Sequence, residues 1–174
     1  MTDRVYPDDP VGAFPRPPLS FTDGEGRAVE VRESGREDYE ALVGMYEAFD
    51  PADRAQGIPP VDTEAVREWV DTILPGDSVS VVATHDDRPV GHAILVPDRA
   101  EGYELAIFIL AEYQGAGIGT ELLARLLGQG QEAGVEHVWL TVERWNDAAI
   151  ALYRKVGFET SGSESFELEM SIRI

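Results

Sequence analysis

The sequence predicts a mixed α/β domain with a central β-sheet flanked by helices, in the order β-α-α-β-β-β-α-β-α-β. Three observations carry this. "YELAIFIL", Tyr103 to Leu110, is a near-continuous apolar run too short for a buried helix, as a central sheet strand should be. "YQGAGIGTELLARLL", Tyr113 to Leu127, follows it with three glycines in five residues and then a helical apolar rhythm. Periods of about 2 and about 3.6 residues then alternate along the rest of the chain, the pattern of helices packed on a sheet.

The elements follow in order. Residues 1–26 contain Pro7, Pro10, Pro15, Pro17 and Pro18 and lack periodicity, which predicts a flexible Pro-rich arm ahead of a domain over residues 27–174. "AVEVRES" alternates as a strand. Tyr39, Leu42, Val43, Tyr46 and Phe49 make a helical stripe. After the loop "DPADRAQGIPP", Asp62 or Thr63 caps a helix with Val66, Trp69, Val70 and Ile73 on one side. "SVSVVATHDDRPVGHAILVP" reads as a hairpin around a polar turn at Asp86–Pro89. The glycine-rich turn opens a helix from about Gly117 to Ala133, and "VEHVWLTV" is a second central strand. "NDAAIALYRKVGF" is a short helix capped by Asn146 and stopped by Gly157. "FELEMSIRI" alternates and closes the sheet.

Composition narrows the function. The 174 residues are 43% hydrophobic, enough for a core, and contain no cysteine, which excludes disulfides, thiolate metal sites and a cysteine nucleophile. No apolar run approaches the ~20 residues of a membrane span, and the N-terminus lacks a secretory pattern, so a soluble cytoplasmic protein is the expectation. The net charge is −19, from 33 acidic and 14 basic residues, and Lys155 is the only lysine. Such a surface disfavours nucleic acid and anionic lipid as partners. It resembles proteins of salt-loving microbes, where a Debye length of about 3 Å at molar salt tolerates self-repulsion.

A strand, then glycines, then a helix N-terminus outlines an anion site. First-turn N–H groups are unpaired, and glycine removes the β-carbons that would hold an anion away. A phosphate-loop NTPase would need Gly-Lys-Ser/Thr, and no lysine is near. A dinucleotide loop would need G-x-G-x-x-G, but Gly115, Gly117 and Gly119 bring the third glycine one residue early. Gln114-x-x-Gly117-x-Gly119 fits instead.

That pattern resembles the acetyl-CoA loop, Q/R-x-x-G-x-G/A, of the GNAT superfamily of N-acetyltransferases. "LTVERWNDAAIALYRKVGFE" is similar to the family's second signature, matching at Leu140, Val142, Asn146, Ala149, Leu152, Tyr153, Lys155, Gly157 and Phe158. The resemblance covers the chain from about residue 28 onward. It implies acetyl transfer from acetyl-CoA, as co-substrate, to a primary amine of a small molecule or peptide. The strand before the loop would hold pantetheine through the backbone of Ile107, Phe108 and Ile109. The loop Gln114, Gly115, Ala116, Gly117, Ile118, Gly119 and Thr120 would cradle the pyrophosphate, Gly115 in a supporting position. Asn146 would lie near the pantetheine as well as capping its helix.

The resemblance also assigns chemistry. Tyr153 is the expected proton donor to the departing CoA thiolate. Glu104 is the first choice of general base, with Glu143 and Glu112 as alternatives. In the branch acting on ribosomal-protein N-termini, a base-providing glutamate follows the strand leucine; Thr141 stands there, which argues against that branch. Arg125, Arg154 and Lys155 are candidates for added positive field. His85 and His92 flank the hairpin turn and with His137 make no metal-ligand spacing, so no metal is expected. Acceptor choice falls to "FDPADRAQGIPPVD", with Tyr46, Phe49, Asp50 and Asp53, and to "ETSGSESFEL". A homodimer through the last strands is a further expectation. A transferase using a longer acyl-CoA and a non-catalytic acyl-CoA-binding module are the alternatives.

Overall fold

A computed structural model of the chain describes residues 4–50, 60, 62–74, 76–164 and 166–174. Eight strands form one mixed sheet: β1 Leu19–Thr22, β2 Ala28–Glu33, β3 Val79–His85, β4 Arg88–Pro97, β5 Tyr103–Ile109, β6 His137–Glu143, β7 Glu159–Ser163 and β8 Glu167–Arg173. Among the described residues four α-helices accompany them: α1 Tyr39–Glu47, α2 Thr63–Ile73, α3 Ile118–Glu132 and α4 Asp147–Val156. The sheet order is β1-β2-β3-β4-β5-β6-β8-β7. All neighbours are antiparallel except β5 and β6, which are parallel and joined through α3.

The expected elements are present, and two strands are added. β1 lies inside the segment assigned to the arm, so the sheet begins before residue 27. β7 is the edge strand, which moves β8 one place inward. Both additions are short and half-exposed, so neither carries a two-residue apolar alternation. Residues ahead of β1 also touch the domain. Arg4 stacks on Trp139 at 3.2 Å and pairs with Glu169, Ser171 donates to the Val5 carbonyl, and the Val11 N–H donates to the Arg173 carbonyl.

The sheet separates two cores. On one face Leu122, Leu123, Leu126 and Leu127 of α3 pack with Val81, Leu95, Leu105, Leu140 and Met170. On the other, α1 and α2 bury Leu42, Tyr46, Val66 and Val70 against Val82 and Ile94. Alternation therefore divides β5: Leu105, Ile107 and Ile109 face α3, while Ala106 and Phe108 face α1 and α2. The β3–β4 hairpin closes on Asp86 and Asp87, both at positive φ (51° and 62°), the geometry of a two-residue type I′ turn that aspartate tolerates. Among the described residues, no helix is long and apolar enough to cross a membrane.

Candidate active site

β5 and β6 pair only at Tyr103↔Val138 and Glu104↔Trp139, after which the ladder ends although both strands continue. On its other side β5 stays paired with β4 as far as Gly91↔Ile109. The divergence leaves one edge of β5 without a ladder partner from Leu105 onward, inside the sheet rather than at its rim. A cavity of about 630 Å³ occupies this gap.

The glycine loop forms one end of the cavity. Gly115 and Gly117 sit at φ +72° and +88°, the left-handed region, with nothing within 4 Å of where a β-carbon would stand. Gly117 is the N-cap of α3, and no side chain caps that helix, so its first-turn N–H groups have no side-chain acceptor. Gly119 serves packing instead. An added β-carbon there would lie 3.2 Å from Ile109 Cδ1 and 3.4 Å from Leu152 Cδ2, so its absence sets the close approach of α3 to β5 and α4. Gly115 is thus held in the left-handed region like Gly117. Gln114 donates its side-chain amide to the Ile109 carbonyl at 2.9 Å and ties the loop to the end of β5.

The loop has a buttress that sequence reasoning missed. The Gly24 N–H donates to the Ala116 carbonyl at 2.8 Å, and the Arg27 guanidinium donates to the Glu112 carbonyl and covers the Tyr113 ring. Buried Asp23 receives Arg27 and two backbone N–H groups, which keep its carboxyl below the usual range despite the opposing effect of burial. "TDGEGR", most of which the sequence reading assigned to the flexible arm, therefore folds as a turn under the loop.

Of the expected residues, Glu104, Ile107, Phe108, Ile109, Gln114, Gly115, Gly117, Gly119, Thr120, Asn146 and Tyr153 line the cavity. Ala116 and Ile118 do not; Ile118 is completely buried in the α3 core, and Ala116 is buried with Gly24 against its backbone. Asn146 is the N-cap of α4 and accepts from the Ala149 N–H at 3.2 Å. α4 ends at Gly157, φ +118°, with the Phe158 N–H returning to the Tyr153 carbonyl. Tyr153 is 8% exposed, and burial pushes its phenol up to about 12.

Glu104 opens into the cavity on the α1–α2 face of the sheet. Partial burial raises its carboxyl above the ordinary range; Arg4 opposes that shift and Asp98 reinforces it. Glu143 lines the same cavity, whereas Glu112 is exposed outside it. Arg125 is paired with Glu121 on its own helix, and no arginine or lysine lines the cavity among the described residues. No group of three or more histidines, aspartates or glutamates able to hold a metal is found among them either.

The far end of the cavity is apolar: Trp69 and Ile73 of α2, Ile94 and Val96 of β4, and Ala106 and Phe108 of β5. Trp69 and Phe108 meet edge to face at 5.3 Å, and both rest against Tyr46. Tyr46 and His92 are fully buried, with the Tyr46 hydroxyl 2.5 Å from His92 Nδ1 and Ser80 Oγ 2.6 Å from Nε2. Burial lowers His92 to about 3 and raises Tyr46, so both are neutral. Tyr46 then donates to Nδ1, and Nε2–H donates to Ser80, which also meets Ser34. Tyr46 and Phe49 therefore stand behind this wall rather than on it. Asp53, named for the acceptor loop, lies outside the described residues.

Residues 38–158 match the acetyltransferase (GNAT) family. An uncharacterized N-acetyltransferase of Mycobacterium tuberculosis is 34% identical over 89 residues, 51% of this chain and 57% of that protein. The chain thus spans little more than half the length of that relative. An L-methionine sulfoximine/L-methionine sulfone acetyltransferase of Pseudomonas aeruginosa is 26% identical over 142 residues, covering 78% of this chain and 83% of that protein. The crystal structure of a ribosomal-protein-alanine N-acetyltransferase from Brucella melitensis superposes with a TM-score of 0.68 at 26% identity, covering 83% of this chain and 99% of the other.

Proposed function

Because the chain belongs to the acetyltransferase (GNAT) family, we propose that it moves an acetyl group from acetyl-CoA to a primary amine by direct attack in a ternary complex. The observation that carries this reading is one cavity spanning the β5–β6 gap, with the glycine loop, Asn146 and Tyr153 at one end and Glu104 on the opposite face of the sheet. The donor fits the residues present. The loop has space where β-carbons would stand and an uncapped helix start for phosphate, and β5 has an unladdered edge for the amide groups of pantetheine.

Acetyl-CoA supplies the acyl group as a thioester. Glu104 takes a proton from the acceptor ammonium, directly or through water, and partial desolvation raises its carboxyl above the ordinary range, which favours that role. The amine nitrogen forms a bond to the thioester carbonyl carbon, the carbon–sulfur bond breaks, and the nitrogen releases its second proton to water to leave the neutral amide. Tyr153, protonated at neutral pH, gives its phenol proton to the departing sulfur and regains one from solvent. The β5 backbone and the loop hold the donor so that attack is close to unimolecular.

Two measurements test this together. Calorimetry with CoA tests the binding site, and thiol release from acetyl-CoA over an amine panel tests transfer. Tight binding with release on no acceptor would favour a non-catalytic acyl-CoA-binding module. Faster release from butyryl-CoA than from acetyl-CoA would favour the longer-chain transferase.

A further inference from the structure

We infer that the acceptor is a primary monoamine that carries an apolar or aromatic group beside its nitrogen and no carboxylate. Glu104 receives the ammonium, and the wall of Trp69, Phe108, Ile94 and Ala106 receives the apolar group. The inference rests on the transferase reading and names the acceptor class for that same site.

Register builds the compartment. On the α1–α2 face three cross-strand pairs of β4 and β5 lie in a row: Val96↔Glu104, Ile94↔Ala106 and His92↔Phe108. A single carboxylate therefore stands at the end of a strip that is apolar for its next two positions along β5. Ala106 is the small member of the strip and leaves depth between Glu104 and the Trp69–Phe108 pair. The pair is held from behind by Tyr46, whose hydroxyl is fixed by His92, so the wall is rigid before anything binds.

The charges at the cavity point the same way. Among the described residues the lining carboxylates are Glu104 and Glu143, and no arginine or lysine belongs to the lining. An acceptor with its own carboxylate would meet both glutamates, and the cation near Glu104, Arg4, is already paired with Glu169 and stacked on Trp139. A polyamine would have to bury its second ammonium against Trp69, Phe108 and Ile94, where none of the described lining residues can pair with it. The −19 net charge suggests cationic acceptors in general; the apolar strip restricts them to one charge next to an apolar body.

The test is thiol release with acetyl-CoA and five acceptors: 2-phenylethylamine, phenylalanyl-glycinamide, ethanolamine, spermidine and methionine sulfone. The first two separate a free amine from a peptide N-terminus as the source of the same chemistry, and activity on either supports the inference. The expected result is kcat/KM about 50-fold or more higher for the better of these two than for ethanolamine or spermidine. Trp69→Ala should raise KM for it about 10-fold while the CoA dissociation constant stays within about twofold. Ala106→Leu, which only fills space, should lower kcat/KM for the aromatic acceptor more than for n-propylamine. Preference for spermidine or methionine sulfone, or an Ala106→Leu enzyme whose preference for the aromatic amine is undiminished, overturns the inference and leaves the transferase reading standing. CoA binding without release on any amine overturns both.

Discussion

Gly128 offers a test in which the sign of the result decides. It lies inside α3, where alanine ordinarily stabilises a helix by about 1 kcal/mol relative to glycine. In the structure a β-carbon there would fall 2.0 Å from the Pro15 carbonyl oxygen, 2.6 Å from its carbon and 3.0 Å from the Phe14 carbonyl oxygen. These are backbone atoms, so Gly128→Ala forces residues 14–15 off the helix. That movement breaks two hydrogen bonds, Phe14 N–H to Gln131 Oε1 at 2.8 Å and Gln131 Nε2 to the Gly12 carbonyl at 2.7 Å. At about 1 kcal/mol each, with about 1 kcal/mol more for lifting half-buried Phe14, the loss is about 3 kcal/mol. Offset by the helix gain, the net is about 2 kcal/mol of destabilisation, a Tm about 4–8 °C lower in a chain of this size. Gly44→Ala is the control, because Gly44 is in α1 with nothing within 4 Å of its added β-carbon. It should raise stability by up to about 1 kcal/mol. Differential scanning calorimetry of the two variants checks both. A Gly128→Ala protein as stable as the wild type, or more so, would refute the docking of the N-terminal segment on α3.

Tyr153→Phe should lower kcat by about 100-fold and leave the CoA dissociation constant within about twofold, since it removes only the proton donor; steady-state kinetics with calorimetry checks this, and unchanged turnover removes Tyr153 from the mechanism. His92 has a folded value of about 3, below its unfolded value, so the unfolded chain binds the extra proton. Its contribution to stability is complete above about pH 6.5 and is lost as pH falls from there toward 3, by at most about 1.4 kcal/mol per pH unit. Urea melts of wild type and His92→Asn between pH 5 and 7 should show the shallower slope in the variant; equal slopes would contradict the neutral assignment. We also propose that repulsion among the 33 acidic residues limits stability at low salt. Tm should then rise steadily with KCl up to molar concentrations, and a flat titration would count against it.

What could be read from the chain follows from where burial leaves a mark. β5 was legible because both of its faces are covered, and α3 and α4 because their caps, Gly117, Asn146 and Gly157, are residues with strong local preferences. β1 and β7 were not, because "LSFT" follows a run of prolines and "ETSGS" is polar with a register shift between Thr160 and Gly162. The lining residues on the glycine loop came from motif spacing. The apolar compartment was open to the same reasoning, since Glu104, Ala106 and Phe108 are two residues apart on one strand and must share a face. Trp69 could not be joined to them, because its meeting with Phe108 depends on how α2 crosses the sheet. The buttress of Gly24 and Arg27 under Ala116 and Glu112 joins residues about 90 positions apart and is received by backbone carbonyls, which no side-chain pattern in the loop encodes.

The short ladder between β5 and β6 also has a mechanical consequence. Five strands stand on one side of it and three on the other, and within the sheet two residue pairs stitch them together. The sheet is therefore two leaves on a narrow spine, and its weakest line runs through the place where a ligand touches both. A molecule seated there works as a keystone. Filling the gap should slow amide hydrogen exchange in β5 and β6 at once and in the strands paired outward from them on both leaves, so that occupancy is recorded in the stiffness of the whole sheet.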